Sequence, residues 1–313
     1  MNEFELIDKI SKDFCIAPKS GTTGIGDDCA IIPQQSGYET LVSTDLLVED
    51  SHFLFENISP YQLGWKSAAV NFSDIAAMGG EATASFLAFA LPPKARGAWV
   101  EDFMRGYRDI SQFYGFPLLG GDTTSAPEKV SICVTVLGRT KVGSAVKRSG
   151  AKPGDLICVS GPLGDSAAGL KIILDNINCG PIENFLVGRH YLPHPKMTEG
   201  QAFAKGGASS MMDISDGIAS DLKHILKASG AGAVIDTDAI PMSKELRSFC
   251  EKYGFDPLDF ALSGGEDYEL LFTISPENEK YLSETHHIVG RIVPGSELEW
   301  KGSDKYFEGF THF

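Results

Sequence analysis

Apolar positions along the chain switch between the two-residue period of strands and the longer period of helices. Residues 38–46 and 82–91 are apolar runs of strand length, and the second is apolar almost throughout, which predicts a strand buried on both faces. Between them, Leu63, Ala69, Phe72 and Ala76 recur at helical spacing, and Gly79 and Gly80 predict the stop. A second helix is predicted over 94–114, with Trp99, Phe103, Ile110 and Tyr114 on one face and Gly115 after it. Val130, Ile132, Val134 and Val136 then alternate as in a half-buried strand. Residues 143–154 are rich in Gly, Lys and Ser and predict a junction between two domains, 1–142 and 143–313. Beyond it, strands are predicted over 154–161, 209–215, 231–241, 267–275 and 286–293, and helices near 164–176, 183–191, 196–206, 216–229, 243–253 and 276–283. This varied order predicts a mixed α/β (α+β) protein of two domains, not one doubly wound sheet.

A length of 313 residues suits two domains, and 42% hydrophobic with 22% charged residues is globular composition. Residues 1–10 alternate acids with apolar positions, which reads as an amphipathic helix and not as a signal peptide. No apolar run approaches membrane-spanning length. The six cysteines form no CxxC pair, so reduced thiols in a cytoplasmic protein are expected, with Cys133 and Cys158 in the core. A net charge of −15 opposes nucleic acid and anionic lipid as partners. The same charge would repel a nucleotide unless divalent cations joined the two.

The familiar phosphate-binding signatures, GxxxxGK[ST] and GxGxxG, are absent, as are the protein-kinase set and HExxH. What recurs is an acid in a Gly- or Ser/Thr-containing turn beside an apolar stretch: Asp27 and Asp28, Asp45 after Ser43 and Thr44, Asp74, Asp122 after Gly120 and Gly121, Asp213 and Asp216 around Ser215, and Glu266 after Gly264 and Gly265. Magnesium takes one or two carboxylates, keeps water and fills its remaining positions with phosphate oxygens, so dispersed acids suit a magnesium–nucleotide site. The plain alternative is turn and cap chemistry. Taken alone, Asp216 reads as the N-cap of the helix that follows it, and Asp27 as a turn residue. Asp74 fits that alternative poorly, because it stands near a predicted helix C-terminus, where the helix dipole opposes a negative charge. Asp45 and Asp122 read as strand-end residues. Arg148 suits a phosphate clamp or a solvated linker, His52 a ligand or a packed ring, and residues 161–169 a tight strand-to-helix turn or an anion cradle.

The segments GIGDDCA (24–30), STDLLVEDSHF (43–53), AVNFSDIAAMGG (69–80), GGDTT (120–124), KRSGAKPGD (147–155), DISDGIASDL (213–222) and ALSGGEDYEL (261–270) resemble, in order, the thiamine-monophosphate kinase family of the aminoimidazole-ribonucleotide synthetase superfamily. The resemblance implies a two-domain fold whose N-terminal domain forms a homodimer interface. It also implies ATP-dependent phosphorylation of thiamine monophosphate by in-line transfer with several Mg²⁺ ions. It makes Asp28, Ser43, Thr44, Asp45, Asp74, Asp122, Asp213 and Asp216 metal ligands, with Asp45, Asp122 and Arg148 central to catalysis. It further implies that Gly121, Asp122, Arg148 and Ser215 contact ATP and that His52, Glu266 and Phe307 hold thiamine monophosphate. Two departures from the family pattern stand out: Asp50 where Gly is usual, and Phe307 where Trp is usual. Two other readings remain open on the residues: ATP-driven activation of a different small molecule, and an inert nucleotide-binding scaffold. Selenophosphate synthesis is disfavoured, because Cys15 lacks the position and neighbours of a reactive cysteine.

Overall fold

Alternation along three neighbouring strands decides which side of the first sheet carries chemistry. The structure, a computed structural model, describes residues 29–33, 37–282 and 285–310. Strands β1 (Ala30–Pro33), β2 (Tyr38–Val48), β3 (Glu81–Leu91), β4 (Leu118–Ser125) and β5 (Ser131–Lys141) pair in the order β1-β2-β5-β3-β4. The β3–β4 pair is parallel and the others are antiparallel. Register sets Ser43, Asp45 and Leu47 beside Val136, Val134 and Ile132, and those beside Ser85, Leu87 and Phe89. This inner face packs on helices α1 (Pro60–Ala77) and α2 (Ala98–Tyr114). The intervening residues, Thr44, Leu46, Cys133, Thr135 and Phe86, form the outer face, where Leu46 is 54% and Phe86 38% exposed. β3 is therefore buried on one face only, contrary to expectation. An unbroken apolar run cannot reveal that one of its faces is open. Cys133, expected in the core, is half-buried on that face.

α1 is buried nearly all round because it lies between the first sheet, α2 and the second half of the chain. Ser59 caps it: the Gln62 N–H donates to Ser59 Oγ and the Ser59 N–H returns to Gln62 Oε1. Two glycines let the helices approach closely. A Cβ on Gly64 would lie 2.0 Å from the Phe103 carbonyl oxygen, and one on Gly106 would lie 1.9 Å from that of Tyr61. The helix predicted from residue 94 starts only at Ala98, after a 3₁₀ turn over Pro93–Ala95 and a left-handed Gly97.

The second sheet contains β6 (Leu156–Val159), β7 (Ala208–Asp213), β8 (Gly232–Asp236), β9 (Leu270–Ile274), β10 (His287–Val293) and β11 (Leu298–Lys301), ordered β11-β8-β10-β6-β9-β7. Around it run α3 (Asp165–Leu174), α4 (Pro181–Tyr191), α5 (Met197–Gly206), α6 (Ile218–Ser229), α7 (Lys244–Tyr253), α8 (Pro257–Ser263) and the single turn α9 (Pro276–Glu279). α8 and β11 were not expected, and the helix predicted to reach residue 283 is confined to that turn. α1 packs against β7 and α5, so one helix touches both sheets' layers.

Candidate active site

Three polar side chains on α1 reach neighbouring segments. Asp74 Oδ2 accepts the Ser43 hydroxyl at 2.5 Å, Asn71 Oδ1 accepts the Asp45 N–H at 3.1 Å, and Lys66 Nζ lies 3.0 Å from Glu266. The inner-face polar residues of β2 are thus tied to the helix behind them. Asp45 and Asp122, read as strand-end residues, both lie within strands. Mixed polar and apolar residues in a strand interior look like a strand boundary from sequence alone.

Asp213 ends β7 and is 3% exposed. The loop beyond it pairs with the segment before β9: the Glu266 N–H donates to the Ser215 carbonyl at 2.7 Å and the Tyr268 N–H to that of Ile214 at 3.0 Å. Glu266 and Tyr268 both occupy the left-handed region, at φ 63 and 51, a conformation that non-glycine residues adopt at a cost and that clusters at functional sites. The nearly buried Tyr268 phenol is raised well above its ordinary pKa by burial first, then by Glu266, Asp213, Asp45 and Asp216. Acids from both halves of the chain therefore act on one side chain.

Asp216 is not a helix cap. α6 begins after Gly217, which caps it without a side chain, while the Asp216 N–H donates to Asp221 Oδ2 at 3.1 Å. Asp221, 1% exposed, is pushed well up by burial and then by Asp216 and Asp213, with Arg148 acting in the opposite sense. The Arg148 charge therefore acts on this acidic group. His52 Nδ1 accepts the Val48 N–H at 3.0 Å, so a neutral ring carries its proton on Nε2, and His52 lies close enough to Glu266 to favour its ionised form.

Other expected residues stand apart. The Thr44 hydroxyl lies on the outer face, donating to Val134 O and paired with Thr135 Oγ1. Asp122 registers with Ala88 on the exposed strand β4, three strand spacings from β2, or about 14 Å. Gly121 precedes it where a Cβ would lie 1.7 Å from Leu87 O, so only glycine fits. Phe307, expected to hold substrate, is a core residue, 2% exposed and edge-to-face with Trp300. Its ring offers substrate no open face. Phe310 is 51% exposed, and its N–H donates to the Asp216 carbonyl at 2.9 Å, so it is the tail aromatic beside the acids. Asp28 lies outside the described residues.

The turn over 161–169 cradles no free anion: the Gly164 and Ser166 N–H groups already donate to the buried Asp267 carboxylate, at 2.6 and 3.2 Å. Among the described residues no three His, Cys, Asp or Glu side chains close around a single point. That donor set is wrong for an all-protein metal cage, yet it fits magnesium bound by one or two carboxylates and completed by substrate oxygens. Beside β4 lies a cavity of about 580 Å³, lined by Met104, Tyr107, Arg108, Phe116, Pro117 and Leu118. No helix among the described residues is long and apolar enough to cross a membrane.

Residues 26–140 match the family model "AIR synthase related protein, N-terminal domain", and 152–301 match its C-terminal counterpart. The thiamine-monophosphate kinase of Escherichia coli (strain K12) is 40% identical, covering 90% of this chain and 91% of its own. That of Aquifex aeolicus (strain VF5) is 36% identical, covering 100% and 98%. The chain belongs to the thiamine-monophosphate kinase family. A solved structure described as AaThiL complexed with AMPPCP and TMP superposes with TM-score 0.91 at 36% identity, covering 100% of this chain and 97% of that one. A HypE–HypF complex, at 16% identity and TM-score 0.72 over 98% of each chain, shares the fold alone. This thiamine-monophosphate kinase family member thus has the mixed α/β, two-domain architecture of AIR synthase related proteins.

Proposed function

We propose that the chain transfers the γ-phosphoryl group of ATP to the phosphate of thiamine monophosphate, giving ADP and thiamine diphosphate, with magnesium between the reactants. The observation that carries this reading is how the acids of the two halves are tied together: Asp74 to Ser43 on the strand of Asp45, Glu266 to α1 through Lys66, and Glu266 to the 213–216 loop through the Ser215 carbonyl. Both reactants are anionic, so an acidic site repels them unless cations intervene. Asp28, Ser43, Asp45, Asp74, Asp213 and Asp216 would hold magnesium, which supplies charge neutralisation between the two phosphates when bound. Arg148 and Ser215 would contact the phosphates of ATP. The apolar, aromatic cavity beside β4 suits a nucleobase. His52 and Glu266, with the open ring of Phe310, face thiamine monophosphate. The acceptor is a phosphate oxygen already ionised near neutral pH, so alignment replaces general-base chemistry.

Thr44, Gly121 and Asp122 fit this reading only if a second copy packs on the outer sheet face. We assign the chain a homodimer in which Gly121 and Asp122 serve the partner's site, and we place it in the cytoplasm, where its cysteines would remain thiols. The test is ADP release with thiamine monophosphate, thiamine or no acceptor, each with and without EDTA. Release that needs both thiamine monophosphate and free divalent cation supports the reading. Equal release without acceptor, or tight ATP binding with no release, refutes it.

A further inference from the structure

Lys66 sits on α1 at 1% exposure, where an ammonium is strongly disfavoured unless paired. Its Nζ lies 3.0 Å from each carboxylate oxygen of Glu266 and 3.5 Å from His190 Nε2. His190, on α4, places Nδ1 3.3 Å from Glu266 Oε2 and 3.0 Å from Ser166 Oγ. Burial first, and Lys66 second, lower the His190 pKa to about 3, so the ring is neutral. Its Nε2 then accepts from Lys66, and its Nδ1–H faces Glu266 and Ser166. Side chains from both halves of the molecule converge on one carboxylate.

The pair is buried unevenly. The Lys66 side chain is 1% exposed but that of Glu266 is 29%. A purely structural ion pair would seal both partners. Here the Glu266 side chain stays partly open while both its carboxylate oxygens are held by Lys66, on a left-handed backbone that the main-chain bond to Ser215 holds. Burial works against the Glu266 charge, but Lys66 foremost outweighs it and keeps the carboxyl below its ordinary range.

We propose that Lys66 is a positioning residue for thiamine monophosphate, fixing the Glu266 carboxylate so that the open part of that side chain meets the cationic end of the substrate. This rests on the substrate reading above, in which Glu266 touches thiamine monophosphate. Without Lys66 the carboxyl loses its strongest opposing charge, and burial then works to raise its pKa. It would then take up a proton and lose its attraction for a cation.

The test compares wild type, Lys66→Met, Glu266→Gln and the double variant in steady-state kinetics from pH 6 to 9. Lys66→Met should raise KM for thiamine monophosphate about 10- to 100-fold at pH 7 and leave KM for ATP within about twofold. The deficit should shrink towards pH 9, as the unpaired carboxyl ionises again, a pH dependence that a merely structural role would not produce. If Lys66→Met does not fold, the double variant, which leaves neither partner charged, carries the comparison and should match Glu266→Gln within about twofold. An unchanged KM for thiamine monophosphate, equal shifts in both KM values, a pH-independent deficit, or a double variant several-fold worse than Glu266→Gln would overturn this inference alone. Wild-type protein with no turnover of thiamine monophosphate would overturn the substrate reading and this inference with it.

Discussion

At Asp50 the backbone explains a departure from the family pattern. Its φ of 71 is the left-handed conformation that glycine adopts without strain and that Asp tolerates better than most residues. Its carboxylate pairs with Lys129, so the extra charge is answered locally. The acids of the site differ from it because they answer one another. Asp45→Asn and Asp74→Asn keep the size of the side chain and the Asn71 and Ser43 contacts, but they remove charge where the proposed magnesium would bind. Both should fold with wild-type circular dichroism and lose turnover by about 10²- to 10³-fold; turnover within tenfold of wild type would refute their role. These acids were legible in the sequence because an Asp directly after Ser or Thr beside an apolar run is conspicuous, although Asp45 lies within β2 and Asp74 within α1 and neither is in a turn. Lys66, Asn71 and Tyr268 were not, since each looks like an ordinary helix or strand residue until the fold gives it a partner. Phe307 misled because one tail aromatic reads like another, and only packing separates the buried Phe307 from the open Phe310.

Among the elements, α1 joins most of the site. It carries Lys66, Asn71 and Asp74, and its distance from α2 is set by Gly64 and Gly106. Gly64→Ala would drive a methyl group into the Phe103 carbonyl and push the helices apart. We expect a loss of about 1–3 kcal/mol in urea unfolding, with a fall in turnover larger than that of a surface Gly→Ala change. The spacing of apolar residues revealed α2 and β5, because each alternates cleanly between a wet and a dry side, and α1 through the helical recurrence of its apolar residues although it is buried nearly all round. It did not reveal β4, whose glycines and threonines carry no strand pattern, nor the open face of β3. The junction of α3 with the segment before β9 adds a pH dependence. Burial lifts the Asp267 carboxyl from 3.8 to about 7, against the pull of the Gly164 and Ser166 N–H groups. Between these values the folded chain keeps a proton that the unfolded chain has released. The stability from this group is therefore full below about pH 4 and is lost as pH rises through 7. Asp267→Asn cannot titrate, so its melting temperature should decline less between pH 5 and 8 than that of wild type. Parallel slopes would exclude Asp267 as the cause.

For the whole molecule, the decisive question is whether one chain holds a complete site. Asp45 faces α1 on the inner side of the sheet, whereas Asp122 lies three strands away on the outer side, in an exposed strand. Neither side chain can cross the sheet to reach the other. The outer face also leaves Leu46 and Phe86 open to water, an apolar surface suited to a second copy. A homodimer that covers this face and exchanges Asp122 between sites makes a prediction that a self-sufficient chain does not. Asp45→Asn and Asp122→Asn homodimers should each be nearly inactive. When the two variants are mixed and allowed to exchange subunits, half the dimers become heterodimers, and in each of these one of two sites has both acids intact. Turnover should then recover to about a quarter of wild type. If both acids served the same chain's site, every site in the mixture would lack one of them and no activity would return. Leu46→Glu, which places a charge on the outer face, should sediment as a monomer and lose turnover while keeping the circular dichroism of a folded chain. A Leu46→Glu monomer with full turnover would refute the exchange, because it would show that Asp122 is not needed from a second copy.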